Sequence, residues 1–208
     1  MSAVIEVSAQ TPPAIGRFNT QMPKLRQITI AEYDLMIKSG VFDENEQIEL
    51  LNGVIIEQMP KGTKHSSAND RASRVFYRNF GDNVIIRNQN PVWLDEFSEL
   101  EPDIVLAIPK EDEYENSHPT PDEILLILEI ADSTLGYDRN TKGAAYARAG
   151  IRQYLLLNVQ EKTLEDYREP DADGFQSKQT YRSGQSFNLA AFPETSFQVK
   201  DFLPVEKV

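Results

Sequence analysis

Residues 124 to 130, ILLILEI, form a run of branched and leucine side chains that reads as a buried strand, and the run carries one carboxylate, Glu129, near its end. An unpaired charge in such a place costs on the order of several kcal/mol, so the fold must bring something to it. The residue two positions on is Ala131, which is small and uncharged, and the nearest downstream lysine is Lys142, well beyond the strand.

A chain of 208 residues is long enough for one domain with a substantial core. We expect that domain over residues 26–208, after a loose N-terminal arm, 1–25, which holds Pro12, Pro13 and Pro23 and no apolar period. With 40% hydrophobic and 26% charged residues the composition is that of ordinary globular proteins, which excludes general disorder. No cysteine is present, so a metal would have to be held by oxygen or histidine. The first residues lack a basic start and an apolar stretch, and no run approaches the roughly 18 apolar residues of a membrane span, so a cytoplasmic protein is expected. A net charge of −12 weighs against broad attachment to nucleic acid or anionic membrane. The charge is uneven, however. KGTKHSSANDRASRVFYR is locally basic, whereas residues 95–123 hold many acids and Lys110 alone as a cation.

Thr29 and Glu32 have capping-box spacing, with Leu35 and Met36 on one face and Gly40 as a stop, and predict a helix. In QIELLNGVIIEQ, apolar runs flank Asn52-Gly53, the strongest short-range signal for a two-residue hairpin turn. The spacing of Ala68, Ala72, Val75, Phe76 and Phe80 predicts an amphipathic helix over about 66–80, ended by Gly81. NVIIRNQ, PVWLDE, DIVLAI and EILLILEI follow as strands, then DRNTKGAAYARAG as a helix and IRQYLLLNV as another buried strand. KTLEDYREP, the turn DADG and FQSKQTYRSG predict an antiparallel meander. The class is therefore mixed α/β.

Two Pro-Asp pairs, at 102–103 and 121–122, supply candidate partners for Glu129. Asp122 lies seven positions before Glu129 on one strand, roughly 20 Å or more away, and cannot share an ion with it. Asp103 opens one strand and Glu129 nearly closes the next. If those strands are antiparallel neighbours, about 4.8 Å apart, both carboxylates can converge on one divalent cation. A magnesium-sized ion takes a few carboxylate oxygens and several waters, and one such water can attack a phosphodiester. The competing readings are a Glu129 that points into water at the strand end and an Asp103 that merely opens a strand. Lys142 reaches the same edge if the helix from about Asp138 packs back over it, where its charge would stabilise a transition state. Otherwise Asp138 and Lys142 are a surface pair at i, i+4, worth a few tenths of about 1 kcal/mol.

Taken together, ELLNGVIIEQMPKGTKH, EPDIVLAIPK, ILLILEIADST and DRNTKGAAYARAGIRQYLLLN resemble the Uma-type endonucleases, a bacterial group within the PD-(D/E)XK nuclease superfamily, over roughly Thr29 to Arg168. The resemblance implies a restriction-endonuclease-like core, a central mixed sheet flanked by helices, with an added N-terminal hairpin and C-terminal antiparallel strands. It also implies Asp103 and Glu129 as ligands of Mg²⁺ or Mn²⁺, the backbone carbonyl of Ile130 as a further ligand, and Lys142 as the catalytic lysine. The superfamily's usual lysine lies two residues after the second carboxylate, where this chain has Ala131; in this branch the role falls to the following helix. Glu49 matches an upstream acidic position that binds a second ion or orients water. His65 matches a position suited to a phosphate contact or general base, and equally to a helix cap or packing. Tyr146 reads as core. The implied activity is hydrolysis of nucleic acid, DNA before RNA, by a homodimer, with a basic groove drawn from Lys61, Lys64, Arg71, Arg74 and Arg78; these charges fit a solvated helix face equally well. A nuclease fold without turnover, serving binding or assembly, is the alternative. A glycoside hydrolase would need an aromatic-lined sugar cleft, which 9% aromatics and the single Trp93 do not support.

Overall fold

The computed structural model describes residues 25–43 and 45–205, so the expected arm lies, apart from Leu25, outside the described residues. Helix α1 (Ile30–Lys38) starts at the predicted capping box, in which Thr29 and Glu32 satisfy each other's backbone N–H groups. Strands β1 (Ile48–Leu51) and β2 (Val54–Glu57) form the predicted hairpin. Its turn residues Asn52 and Gly53 both have positive φ, 51° and 73°. Gly53 is required twice over, because a Cβ there would sit 2.4 Å from Cβ of Gln27.

Helix α2 (Thr63–Phe80) begins three residues before the expected start at about 66. Four short strands follow: β3 (Ile85–Asn88), β4 (Val92–Asp95), β5 (Ser98–Leu100) and β6 (Ile104–Ala107). The long strand β7 (Ile124–Ala131) leads into α3 (Leu135–Tyr137), a π-helical turn over Asp138–Lys142, and α4 (Gly143–Arg148). Then come β8 (Gln153–Asn158), β9 (Thr163–Asp171), β10 (Gly174–Arg182), β11 (Ser186–Leu189) and β12 (Phe192–Gln198).

The central sheet has the order β10-β9-β8-β7-β6-β3. Only β7 and β8 in it are parallel, and the α3-to-α4 segment is the crossover that joins them; the other pairings are antiparallel, which makes the sheet mixed as expected. A second sheet, β2-β1-β5-β4, extends the hairpin through β5. Strand β5 was not expected, being three residues long with Glu99 at its centre, yet all three are buried because β1 and β4 pair with it on either side.

Alternation along the central strands divides the core in two. Leu126, Leu128 and Ile130 of β7 join Leu155 and Leu157 of β8 beneath Ala68, Ala72, Phe76 and Phe80 of α2. Ile127 and Ala131 face the other way, with Tyr146 of α4, Tyr154 of β8 and Tyr167 of β9. Glu129 lies between Ile127 and Ala131 and so belongs to this second face, as does Asp103 by its alternation with Val105 and Ala107. The last two strands form a separate hairpin instead of continuing the sheet. Phe197 of that hairpin, together with Phe202 just beyond it, covers Phe76 at ring-centre distances of 6.0 and 5.4 Å.

Phe76 is fully buried at this junction of helix, sheet and C-terminal hairpin. Phe76→Ala is expected to destabilise the fold by about 3–5 kcal/mol, read as a lowered urea midpoint with little change in slope.

Candidate active site

The register of β6 and β7 pairs Ile104 with Leu128, so one step further sets Asp103 opposite Glu129. Each of these carboxylates holds the neighbouring strand's backbone. The N–H of Asp103 donates to Oε2 of Glu129 at 3.3 Å, and the N–H of Ile130 donates to Oδ2 of Asp103 at 2.8 Å. The antiparallel adjacency expected from the sequence is therefore present, and both side chains are buried. Ile130 reaches the site through this N–H, while its side chain lies in the opposite core.

Lys142 closes the arrangement from above. Its ammonium lies 3.0 Å from Oε1 of Glu129 and 3.4 Å from Oε2 of Glu49. It is buried and directed inward, unlike the surface pair that its spacing from Asp138 allowed. The π-helical turn that carries it puts an extra residue into the helix, a feature that recurs at functional sites. Gly143 then opens α4 against β8, where a Cβ would meet the Asp138 carbonyl and the Tyr154 ring at ordinary contact distances of 3.4 and 3.5 Å. Tyr146, one turn on, is fully buried as expected of a core residue, but its hydroxyl also donates to Oε1 of Glu129 at 2.6 Å. That polar role was missed; the i, i+4 spacing from Lys142 was the signal for it.

Glu49 comes from the other sheet, where the N–H of Glu101 donates to its Oε2 at 3.2 Å. His65, in the first turn of α2, sets Nε2 2.9 Å from Oδ2 of Asp103. Lys61 lies 3.9 Å from the other oxygen of Asp103. All of the expected site residues, Glu49, His65, Asp103, Glu129, Ile130 and Lys142, line one cleft of about 370 Å³. Glu101, Tyr137 and Asp138 line it too and were not expected there.

Environment drives the two central carboxyls apart. Burial would raise Asp103, but the His65 contact, the Ile130 N–H and Lys61 outweigh it and hold the group below its ordinary range. Burial pushes Glu129 well above the carboxylate range despite Lys142 beside it. Asp138 is pushed up to about 6, again by burial, against its bond from Thr134 and the pull of Lys142. Burial alone would lower Lys142, yet Glu129 and Glu49 keep its ammonium well above the ordinary lysine value. Such divergence within one cleft is typical of functional sites.

Charge counting tests whether a cation suits the cleft. Glu49, Asp103, Glu129 and Asp138 are buried carboxyls, and Lys142 is the buried ammonium that faces them. Four buried carboxyls against one buried ammonium, two of the four (Glu129 and Asp138) raised by burial, form an oxygen-donor set that a hard divalent cation would hold ionised. Among the described residues no three acidic or histidine side chains already close on one point. Magnesium needs only one or two carboxylates and retains waters, so the donor set is compatible with it.

Comparison with known proteins gives the fold class first. The structure resembles one described as a "putative nuclease belonging to DUF820" from Anabaena variabilis, with a TM-score of 0.62 at 21% identity, covering 84% of this chain and 97% of that one. The shared architecture is a mixed central sheet with few helices and added antiparallel strands. The chain belongs to the Uma2 family, described as "Putative restriction endonuclease", which matches residues 30–205. No curated protein matches it.

The turn that carries Lys142 is fastened at Arg139, whose Nε and Nη2 donate to Glu165 on β9 at 3.0 and 2.8 Å; Lys178 and Tyr167 add further bonds to the same carboxylate. Burial would raise Glu165, but these partners bring it down to about 2. The resulting stability is present above the ordinary value near 4.5 and is lost as pH falls toward about 2. Glu165→Gln is therefore expected to be less stable than wild type in urea melts at pH 7, with the difference shrinking below about pH 4.5.

Proposed function

We propose that the chain is an endonuclease that hydrolyses phosphodiester bonds, with DNA as substrate and Mg²⁺ or Mn²⁺ as cofactor. The observation that carries the reading is the convergence of Asp103, Glu129 and Lys142 from two strands and a helix on one cleft edge. Membership of a family described as restriction endonucleases supports it.

In this reading Asp103 and Glu129 hold the cation, with the Ile130 carbonyl as a further donor. A divalent cation held there would supply Lewis acidity and a more acidic water. The protein's own groups do the positioning. His65 and the Ile130 N–H fix Oδ2 of Asp103, which leaves Oδ1 facing the half-buried Lys61. Tyr146 and Lys142 fix Oε1 of Glu129. Hydrolysis forms a bond from water oxygen to phosphorus and breaks the bond from phosphorus to the leaving sugar oxygen, and negative charge grows on the phosphoryl oxygens. The Lys142 ammonium, kept charged by Glu129 and Glu49, opposes that growth from a preorganised position. Glu49, held by the Glu101 N–H, orients the attacking water.

Mn²⁺ titrated into the wild type, followed by heat or paramagnetic broadening, is expected to bind, and Asp103→Asn and Glu129→Gln are each expected to abolish binding. Absence of binding by the wild type at millimolar metal would favour a nuclease fold that serves assembly without turnover. Lys142→Ala is expected to keep the fold by circular dichroism and to lower metal-dependent cleavage of duplex DNA by about 10²-fold or more. An unchanged rate would remove Lys142 from the mechanism.

A further inference from the structure

The basic residues expected to form one groove do not all gather in the cleft. Lys61 lies there, beside Asp103, but Arg71, Arg74 and Arg78 line a separate recess of about 400 Å³ with Asn79, Ser196, Phe197 and Asp201. Helical geometry explains the division. At about 100° per residue, Lys64, Arg71 and Arg78 recur every seven residues on one stripe with Arg74 beside it, whereas His65, Ala68, Ala72 and Phe76 face inward. The stripe begins next to His65 at the cleft and runs away from it. From Lys64 to Arg78 it spans about 21 Å at 1.5 Å per residue.

Among the described residues, none of these four cations has a carboxylate within ion-pair distance. This holds although Asp70 precedes Arg74 by four positions and Asp201 shares the recess. The buried Nε of Arg71 has no hydrogen-bond partner. On a chain of net charge −12, four unpaired cations aligned on one helix are a concentrated exception. Clustered like charges repel, and a polyanion laid along them relieves that repulsion while releasing its own counterions.

We infer that the Lys64–Arg71–Arg74–Arg78 stripe is a phosphate-backbone track for duplex DNA that starts at the rim of the cleft and extends over a length of about six base-pair steps, with residues separate from the hydrolytic ones. A straight helix holds the four cations in fixed relative positions, which suits the stiff backbone of a duplex better than that of a pliable single strand. The occupant rests on the nuclease reading, but the binding does not require turnover.

The test uses the whole chain, a fluorescein-labelled 20-base-pair duplex and excess chelator, so that no cleavage intervenes, with anisotropy read across a salt series. Arg74 and Arg78 are exposed, so Arg74→Ala with Arg78→Ala is the main variant, and Arg71→Ala is made separately because that side chain is half-buried. The wild type is expected to bind, and the double variant to bind about tenfold or more weakly, with its slope of log affinity against log salt reduced by nearly two, about 0.9 per lost phosphate contact. Equal affinity and slope in the double variant would overturn the track, and so would absence of duplex binding by the wild type. Tighter binding of a single-stranded or RNA probe through the same arginines would overturn the duplex assignment. If the arginine-dependent binding holds while the wild type cleaves nothing when metal is restored, the track stands and the nuclease reading fails.

Discussion

The contact on which the rest of the site depends is the buried ammonium of Lys142 between Glu129 and Glu49. Neither carboxylate could be desolvated alone without a cost of several kcal/mol, on the order of that for any unpaired buried charge. Together they also outweigh the burial that would otherwise discharge the lysine. The contact joins three pieces of the molecule: Glu129 lies on the central sheet, Glu49 on the hairpin sheet, and Lys142 on the crossover between β7 and β8. The relative placement of those elements is thus tied to the same charges that make the cleft chemically distinct.

Around that contact the carboxyls serve a second purpose as structural acceptors. The reciprocal bonds between Asp103 and the β7 backbone, and between Glu129 and the Asp103 N–H, continue the sheet past the last β6–β7 pair with side chains in place of carbonyls. This fixes both groups and leaves one oxygen of Asp103 weakly engaged. Oδ1 of Asp103 keeps only long contacts, 3.9 Å to Lys61 and 3.5 Å to Gln89. A site built this way is rigid at the backbone and open on the side where a ligand would approach.

The legible parts of the sequence were those with local causes. The Thr29 capping box, the Asn52-Gly53 turn and the long apolar strands are each determined by a few neighbouring residues, and each is present. The adjacency of Asp103 and Glu129 was accessible because strand ends obey simple geometry. Strand β5 was not legible, since Ser98–Leu100 is strand only by virtue of two partners distant in sequence. Nor was the π-helical turn, which has no compositional signature. Glu49 could be placed only through family resemblance, because nothing in β1 says that a lysine 93 positions later will meet it. Tyr146 was read correctly as buried and incompletely as core, since a tyrosine's apolar ring dominates its pattern while its hydroxyl seeks a partner.

The position of the lysine follows from packing on the Glu129 face. Ala131 shares that face, two residues on, and is 1% exposed within the cluster that includes Ile127, Tyr146 and Tyr154. A lysine stem at that point would have to displace part of this cluster, at the usual cost of overpacking a dense core. A lysine on the crossover helix instead enters from above the sheet edge and meets Glu129 without disturbing the strand. The segment that carries it is anchored by Arg139 on Glu165. Moving the cation from strand to helix thus transfers the demand for precision from side-chain packing within the sheet to the docking of one irregular turn, and the π-helical geometry of Asp138–Lys142 is the local form that meets it.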